Sequence, residues 1–339
     1  MSSIVNTARN AVAANFGHFA PSLSTHPFSL DETPDQSGKV AVVTGGSEGI
    51  GYGVAHTLLK NNIDKLFILS LSQKVANDAK DTLVQELGQA SVDKTVWLEC
   101  DLANWKKVKS VAEQIKDSTD RLDVLVNNAG RGIMSFKLSS LGVDRHMAIN
   151  HMGHAVLTSQ LLPLMKKTAD AGSVVRVVNV SSNLHSSVPS TLQFKSLPDI
   201  NTNMGAKKQY GRSKLAGILY ARYFDRNVTQ KGNPNILMNA VHPGIVSTKQ
   251  SKEDIHEPYP LAGYGLSVAM EPFKKNQFQG AVSAIFAATT TKGSGQYICP
   301  PALPDPGSEP SQDEALGDDL MKLTREIVLD KTKEDLVVT

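Results

Sequence analysis

A glycine-rich loop directly after a short apolar run is the feature that most constrains the fold of this 339-residue chain. The run at 39–43 has the character of a buried strand, and the loop Thr44-Gly-Gly-Ser-Glu-Gly-Ile-Gly51 precedes a helical pattern over about 52–60. Glycines at a strand–helix turn let the backbone approach a pyrophosphate, whose charge the helix N-terminus stabilises. An ordinary glycine turn is the alternative, but this position favours a dinucleotide site. Its expected contacts are Gly45, Ser47, Glu48, Gly49, Ile50 and Gly51.

Short apolar runs alternate with helical patterns along the rest of the chain. Further strands are predicted at 66–70, 95–99, 122–126, 174–180, 236–241 and 296–298. Helices are predicted over about 74–87, 104–118, 138–166, 210–224 and 276–288. Strands that alternate with helices form a parallel sheet with right-handed crossovers. The sequence therefore predicts an α/β fold of the Rossmann type, a doubly wound parallel β-sheet flanked by helices, as a single domain over 39–300.

Two segments flank this domain. Residues 1–38 are a predicted N-terminal arm, of which the first 30 residues contain one arginine and no acidic residue. They could form a weak transit peptide or an interfacial helix, although an arm packed on the domain is the simpler interpretation. Residues 301–339 are a Pro-rich segment, in which the prolines interrupt regular structure, followed by an amphipathic helix. That helix could bind a partner, but docking on its own domain is favoured.

Composition excludes several classes of protein. The 35 basic and 33 acidic residues give a net charge of +2 and indicate neither a nucleic-acid groove nor a polybasic membrane patch. Two distant cysteines, Cys100 and Cys299, fit a reducing compartment, although they could pair. No run approaches the roughly 18 apolar residues of a transmembrane helix. A cytoplasmic protein is expected, with organelle targeting or peripheral membrane contact through residues 1–30 left open.

The end of the second predicted strand bears on which dinucleotide binds. An acid about 20 residues beyond the glycines would bind the ribose 2′-hydroxyl of NAD. The residues there are Leu71, Ser72, Gln73 and Lys74. A 2′-phosphate would meet no repulsion from them, and Ser72 and Lys74 could bind it, although both could also belong to a solvated strand end. Glu48 counts against this interpretation. The sequence favours NADP and leaves NAD open.

The stretch Tyr210-Gly-Arg-Ser-Lys214 lies in a predicted helix. Positions four apart share a helix face, so the phenol and the ammonium lie side by side. A free tyrosine has a pKa near ~10, and a neighbouring cation lowers that pKa. The pair is therefore a candidate proton donor or acceptor. Because the same spacing occurs by chance in many surface helices, it needs support from other motifs.

These motifs together resemble the short-chain dehydrogenase/reductase family, in the subgroup with a Tyr-x-x-x-Lys site. The loop at 44–51 fits the family pattern TGxxxGxG, and Asn127-Asn-Ala-Gly130 fits its Asn-Asn-Ala-Gly motif. The resemblance covers about 39–300 and implies that Asp101 contacts the adenine. It also implies cofactor contacts from Leu102, Asn128, Ala129, Gly130, Tyr210, Lys214, Pro243, Gly244, Val246 and Thr248.

The resemblance further implies a four-residue active site. Tyr210 would exchange a proton with the substrate oxygen, and Ser182 would hydrogen-bond to that oxygen. Lys214 would lower the pKa of Tyr210 and bind the nicotinamide ribose, while Asn150 would hold a water in a proton relay. Ser181 is the rival to Ser182, which the register of the motif favours.

Within the family, the chain resembles the retinol dehydrogenase-like members. The shared stretches are Asn150-His-Met-Gly-His-Ala-Val-Leu-Thr158, Val178-Asn-Val-Ser-Ser182 and Ser213-Lys-Leu-Ala216, together with the long gap from serine to tyrosine. Two positions depart from those members. Ser72 stands where a basic residue is usual, which leaves the cofactor preference open, and Gly217 replaces their usual Asn.

These features predict an NADPH-dependent carbonyl reductase, acting between a ketone or aldehyde and an alcohol. The irregular segment 245–275 is expected to cover the substrate. Apolar residues in 183–206 and 245–275 indicate a small apolar substrate, such as a lipid aldehyde, retinoid, steroid or polyketide ketone, unless they only pack the covering segment. They are Leu184, Leu192, Phe194, Met204, Tyr259, Tyr264 and Phe273.

Several alternatives remain open at this point. The chain could be a catalytically inactive nucleotide-binding scaffold or a redox sensor, which the intact four-residue set disfavours, or a sugar-nucleotide epimerase, whose glycine spacing normally differs. His146, His151 and His154 could suggest a metal, but their spacing and the lack of flanking ligands favour packing roles. A homodimer through the helices at 138–166 and 210–224 is a further expectation left open, since these are also core helices.

Overall fold

An eight-stranded β-sheet forms the centre of the protein. The computed structural model describes residues 28–244, 246 and 276–336. The strands are β1 Val40–Thr44, β2 Lys65–Ser70, β3 Thr95–Glu99, β4 Val124–Asn127, β5 Val175–Val180, β6 Ile236–Val241, β7 Tyr297–Cys299 and β8 Leu303–Asp305. Their order in the sheet is β3-β2-β1-β4-β5-β6-β7-β8. All pairings are parallel except that of β7 with β8. The predicted Rossmann-type fold is therefore confirmed.

Helices cover both faces of the sheet. They are α1 Gly49–Lys60, α2 Gln73–Leu87, α3 Gln89–Val92, α4 Trp105–Ser118, α5 Arg145–Met147, α6 Gly153–Asp170, α7 Leu197–Asn201, α8 Ala206–Phe224, α9 Gln277–Thr289, α10 Glu309–Gln312 and α11 Glu314–Thr332. A π-helical turn, Ala148–Met152, joins α5 to α6, and a second one, Asp225–Thr229, follows α8. Short 3-10 helices lie at Leu30–Glu32 and Asn183–Ser187.

The core consists of two apolar layers, one on each face of the sheet. Successive strand residues point to opposite faces, so Val42 lies in the layer formed with α4, α6, α8 and α11, whereas Val43 lies in the layer formed with α1 and α9. Both strand faces are buried, which explains why these strands read as continuous apolar runs. The strand order reverses between β1 and β4, and in folds of this type ligands bind beside the carboxyl ends of those two strands.

The predicted helix over 138–166 begins too early. Residues 138–144 form a turn in which Leu138 pairs with Asp144, and helical structure begins at Arg145. The Asp144 side chain accepts the backbone N–H of Met147 at 3.0 Å and so caps this helix. Gly142 has a φ of 73°, which a helix interior does not allow. An aspartate cap therefore starts the helix seven residues later than the apolar pattern indicated.

The prolines at 300–310 do not exclude regular structure. Leu303–Asp305 forms the edge strand β8, in which Pro304 stands opposite Ile298 of β7. A proline is tolerated there because an edge strand has one unpaired side.

Two other predictions need smaller corrections. The segment 183–206, which shows no periodicity, contains a 3-10 helix and α7. Helix α8 begins at Ala206, so Tyr210 lies in its second turn.

Helix α11 packs on its own domain. Leu320 and Ile327 belong to the core layer that also contains α6 and α8. The hydroxyl of Thr324 lies 2.9 Å from Nε2 of His151 in the π-helical turn before α6. The helices that the sequence offered as dimer faces are thus partly covered within one chain. Of the helices in the described ranges, none is both long and apolar enough to cross a lipid bilayer.

Candidate active site

The glycine loop lies between β1 and α1 and is packed too closely for side chains. A Cβ at Gly51 would lie 2.1 Å from the carbonyl oxygen of Gly45 and 2.5 Å from Nδ2 of Asn128. Gly45 and Gly49 have φ angles of 65° and 53°, which favour glycine. Helix α1 begins at Gly49, and the preceding Glu48 side chain does not cap it. The loop therefore presents backbone, with the uncapped first turn of α1 beside it, as a phosphate group requires.

The hydroxyl of Thr44 connects this loop to the end of β4. It accepts the backbone N–H groups of Asn128 and Ala129, each at 2.9 Å. It also lies 2.9 Å from Nε2 of His154, while Nδ1 of that ring lies 3.2 Å from the Asn150 carbonyl oxygen. A carbonyl can only accept, so Nδ1 carries the proton and Nε2 accepts from Thr44. Burial, together with the charge of Lys214, lowers the pKa of His154 to about 4, which keeps the ring neutral near pH 7.

Asn150 lies in the π-helical turn between α5 and α6. Its Oδ1 accepts the Arg131 backbone N–H at 2.8 Å, and its Nδ2 donates to the Arg131 carbonyl at 3.0 Å and to the Ser213 hydroxyl at 2.9 Å. A Cβ at Gly130 would lie 2.9 Å from Oδ1 of Asn150 and 3.6 Å from Nζ of Lys214. Asn150 and Lys214 therefore converge on the backbone of Gly130.

Lys214 and Tyr210 lie on one face of α8, as their spacing predicts. The Lys214 Nζ donates to the Val180 carbonyl at 2.8 Å and lies 5.5 Å from the centre of the Tyr210 ring. Burial lowers the pKa of Lys214 to about 8, because a charged amine is poorly solvated there. The ammonium is still the main form at pH 7, while the Tyr210 side chain remains half-buried.

The two serines after β5 have different partners. The hydroxyl of Ser181 is buried and donates to the Lys214 carbonyl at 2.7 Å, so it anchors α8. The hydroxyl of Ser182 accepts the Leu184 backbone N–H at 3.2 Å and lies 3.3 Å from Oδ1 of Asn183. Ser181 is thus committed to the backbone of α8, and Ser182 begins the 3-10 helix that follows.

The residues at the end of β2 make contacts within the protein. The Ser72 hydroxyl accepts the Val75 backbone N–H at 3.3 Å and caps α2, and Lys74 pairs with Asp78 at 2.7 Å. At the end of β3, Oδ1 of Asp101 accepts the Ala103 backbone N–H at 2.9 Å. The adjoining Leu102 packs tightly against α6, since a Cβ at Gly153 would lie 2.3 Å from its carbonyl oxygen.

Some predicted site residues lie further along the sheet or outside the described residues. Pro243 and Gly244 follow β6 after His242. Val246 and Ile50 meet at Gly280 of α9, where a Cβ would lie 2.7 Å and 3.1 Å from their side chains. Phe194 is buried in the apolar core, and Leu192 packs against that core, so both have packing roles. Thr248, Tyr259, Tyr264 and Phe273 lie outside the described residues, as does nearly all of the predicted covering segment.

The three histidines considered as metal ligands each have a protein partner. His146 Nε2 lies 2.9 Å from the Gly132 carbonyl, and His151 and His154 contact the hydroxyls of Thr324 and Thr44. Within the described ranges, no group of three His, Cys, Asp or Glu side chains could hold a metal. The two cysteines, Cys100 and Cys299, are both buried and free. The sequence alone assigns no role to the Thr44 hydroxyl, and it indicates for His154 only a metal ligand or a packing residue.

Comparisons with known proteins point to one family. A family model described as short chain dehydrogenase matches residues 39–193. Over 328 residues the chain is 58% identical to bli-4 of Neurospora crassa, whose name describes a mitochondrial oxidoreductase, with 96% of this chain and 80% of that protein covered. Over 253 residues it is 35% identical to the chloroplastic short-chain dehydrogenase TIC 32 A of Brassica napus, with 73% and 75% covered.

A solved structure supports the same fold. The uncharacterized protein from Mycobacterium paratuberculosis superposes with a TM-score of 0.70 at 22% identity, covering 92% of this chain and 99% of that one. At this identity the likeness concerns the fold alone, and it agrees with the sheet described above. From its sequence relatives, the chain belongs to the short-chain dehydrogenase/reductase family, whose members are oxidoreductases that use NAD(P).

Proposed function

We propose that this protein is an NADP-dependent carbonyl reductase that interconverts a ketone or aldehyde with an alcohol. The observation that carries the proposal is the convergence of Asn150 and Lys214 on Gly130, with Tyr210 beside Lys214 on the same helix. These groups come from distant parts of the chain and meet at the carboxyl edge of the sheet, where ligands bind in such folds.

A dinucleotide fits the backbone surface at this edge. A Cβ at Gly51 or Gly130 would lie less than 3.0 Å from a neighbouring atom, so at these positions a cofactor would meet backbone and no side chain. When bound, the nicotinamide supplies or accepts a hydride. Asp101 and Leu102 would border its adenine, and Val246 and Ile50 would lie beside the loop.

Each residue of the proposed active site has one role. Tyr210 donates a proton to the substrate oxygen or takes one from it, and the neighbouring Lys214 ammonium favours its phenolate form. Ser182 hydrogen-bonds to the same oxygen and stabilises the charge that develops there. The Asn150 side chain makes three hydrogen bonds to protein, so we assign it mainly to holding the Arg131 backbone and Ser213 in place. One acceptor site on its Oδ1 remains for a relay water.

The preference for NADP rests on the absence of an acid among residues 71–74. Lys74 pairs with Asp78 on the surface, and a pair that is so exposed is easily exchanged for another anion. The 2′-phosphate of NADP could therefore pair with Lys74 in place of Asp78, whereas NAD has no phosphate at that position. Lys74 thus favours NADP only if it can leave its present partner.

The substrate and the location are proposed on narrower grounds. Leu184 and Met204 are half-buried in the segments around the site, and they favour an apolar substrate such as a lipid, retinoid, steroid or polyketide carbonyl.

The name of bli-4 refers to mitochondria, which favours the interpretation of residues 1–30 as a transit peptide over a cytoplasmic location. A fluorescent protein fused behind residues 1–30 would test this, because a diffuse signal would contradict targeting.

Replacing Tyr210 with Phe tests the proposed chemistry. The variant retains the ring and loses only the hydroxyl group, so hydride transfer with a working carbonyl substrate should slow by roughly 10²–10⁴-fold. Stopped-flow measurement of NADPH absorbance with a carbonyl panel gives the rate. Tyr223→Phe on the same helix is the matched control. An unchanged rate in Tyr210→Phe would reject the assigned acid/base, and wild-type binding of NADPH without turnover of any carbonyl would favour the inactive scaffold.

A further inference from the structure

The imidazole of His185 links the C-terminal segment 303–312 to the proposed catalytic serine. His185 lies in the 3-10 helix after Ser182 and is 4% exposed. Its Nδ1 lies 2.8 Å from the Ser182 carbonyl oxygen, and its Nε2 accepts the backbone N–H of Ser308 at 3.0 Å. The carbonyl can only accept and the Ser308 N–H can only donate, so these two partners fix the neutral tautomer with its proton on Nδ1.

The C-terminal segment is held in place for this contact. Arg222 of α8 donates to the carbonyls of Pro306 at 2.9 Å and Ser311 at 2.5 Å. Gly307 has a φ of 73°, and a Cβ there would lie 2.4 Å from the Ser311 hydroxyl. The segment therefore approaches His185 along a defined path, with glycine required at the turn.

The other side of the imidazole is also fixed. The ring of Tyr297 in β7 packs edge-on against it, with the ring centres 4.9 Å apart. Burial lowers the pKa of His185, and the nearby Arg222 acts in the same direction, whereas Asp305 opposes it. The ring is therefore neutral near pH 7, as both of its hydrogen bonds require. A protonated ring would direct a second N–H at the Ser308 N–H.

We propose that His185 is a positioning residue for Ser182 and that segment 303–312 supports the active site from outside, through the Ser308 N–H. This inference rests on the proposed function, in which Ser182 contacts the substrate oxygen. The Ser182 carbonyl accepts both the His185 backbone N–H at 3.1 Å and the ring Nδ1–H. These bonds fix the peptide that follows Ser182 and with it the turn that carries the hydroxyl. A displacement of about 1 Å at a reacting group can cost roughly 10²-fold in rate.

Two variants of His185 separate positioning from stability. The amide nitrogen of His185→Asn can take the place of Nδ1 and keep the Ser182 bond, whereas the amide of His185→Gln reaches the place of Nε2 and keeps only the Ser308 bond. Each variant loses one hydrogen bond. If the ring had only a structural role, the two variants would therefore have similar kcat values. We expect His185→Asn to stay near the wild-type kcat and His185→Gln to fall at least about tenfold, with the KM for the cofactor unchanged in both.

A second pair of variants, Ser308→Pro and its matched control Ser308→Ala, tests the same contact from the side of Ser308. Its φ of −74° suits proline, so Ser308→Pro removes the N–H that His185 accepts. Ser308→Ala keeps that N–H and removes a hydroxyl that is buried without a partner among the described residues. We expect a lower kcat in Ser308→Pro and none of that loss in Ser308→Ala. The histidine ¹⁵N shifts of the wild-type protein should show the neutral Nδ1–H form of His185.

The outcomes distinguish this inference from the proposed function. Equal kcat values in His185→Asn and His185→Gln would overturn it, as would an Nε2–H tautomer or equal kcat values in Ser308→Pro and Ser308→Ala. If Ser182→Ala is inactive in that case, the proposed function survives alone. If Ser182→Ala keeps the wild-type kcat, Ser182 is not catalytic and this inference fails with that role, whereas the measured turnover itself supports the proposed reductase activity.

Discussion

The Thr44 hydroxyl offers a sharp test of how the two motif loops are held together. It is 1% exposed, accepts two backbone N–H groups at the end of β4 and donates to His154. The Asn128 N–H has a second acceptor in the Val126 carbonyl at 3.1 Å. Within the described residues, the Ala129 N–H and Nε2 of His154 have no other partner. Thr44→Val should therefore leave two polar groups unpaired, the buried Nε2 of His154 and the N–H of the partly buried Ala129.

The expected loss of stability follows from these two groups. A buried donor or acceptor without a partner costs about 1–3 kcal/mol, and valine fills nearly the same volume as threonine. We therefore expect Thr44→Val to lower the free energy of unfolding by about 3 kcal/mol, a little over 100-fold in the unfolding equilibrium. Thr44→Ser keeps the hydroxyl and should lose much less.

Urea unfolding followed by tryptophan fluorescence measures this difference. The matched control is Thr57→Val in α1, because the Thr57 hydroxyl is 3% exposed and donates only to the Gly53 carbonyl at 2.7 Å, within the same helix. That carbonyl keeps its helical N–H partner, so the control should lose about 1 kcal/mol or less. Equal losses in Thr44→Val and Thr57→Val would refute the reasoning, since they would mean that the network adds nothing beyond one ordinary hydrogen bond.

Three further predictions follow from single contacts. In the free protein, ¹³C-lysine NMR should show Lys214 losing its proton near pH 8, and this titration should vanish in Lys214→Met. A Lys214 signal that titrates at the ordinary lysine pKa of ~10.4 would contradict the effect of burial. Burial raises the pKa of both Cys100 and Cys299 to about 12, so neither should react with a thiol reagent at pH 8 until urea unfolds the chain. Asp78→Asn should free Lys74 and tighten NADP binding but not NAD binding in a fluorescence titration, and equal changes would exclude a phosphate contact.

The sheet could be predicted from the sequence because its strands are apolar runs bounded by turns. The strand predicted at 236–241 is observed as Ile236–Val241, and all of its residues are buried. Central strands of a parallel sheet are buried on both faces, so burial alone makes them apolar runs bounded by turns. The glycine loop was equally readable, because close backbone packing at Gly51 excludes every other residue.

Contacts between distant residues contributed to the errors, although the Asp144 cap before α5 is itself a local signal. The turn before α5 depends on Asn201, whose side chain accepts the Asp144 N–H and donates to the Gly142 carbonyl, each at 2.8 Å. These partners are 57 residues or more away in the chain. Strand β8 likewise exists only because β7 lies beside it, although Pro304 argues locally against a strand. In both places tertiary pairing outweighed local preference.

The sequence predicts the residue types of the proposed site but not the hydrogen bonds that connect them. Tyr210 and Lys214 share a helix face, and that spacing is visible in the sequence. The links from Thr44 to His154 and from His185 to Ser308 join positions 110 and 123 residues apart. The only sequence signal for the first link is that His154 stands one helical turn after Asn150, where its ring can reach the Asn150 carbonyl.

Two buried histidines use the same arrangement around the proposed catalytic groups. In each, Nδ1–H donates to the backbone carbonyl of a proposed catalytic residue, Asn150 or Ser182. In each, Nε2 accepts from a second element, the Thr44 hydroxyl or the Ser308 N–H. A neutral imidazole is suited to this role because it carries one donor and one acceptor at a fixed separation on a rigid ring. Burial lowers the pKa of both rings and so keeps the acceptor available. The two rings thus connect the backbone around the proposed site to distant elements, by hydrogen bonds that the spacing of the four proposed catalytic side chains does not reveal.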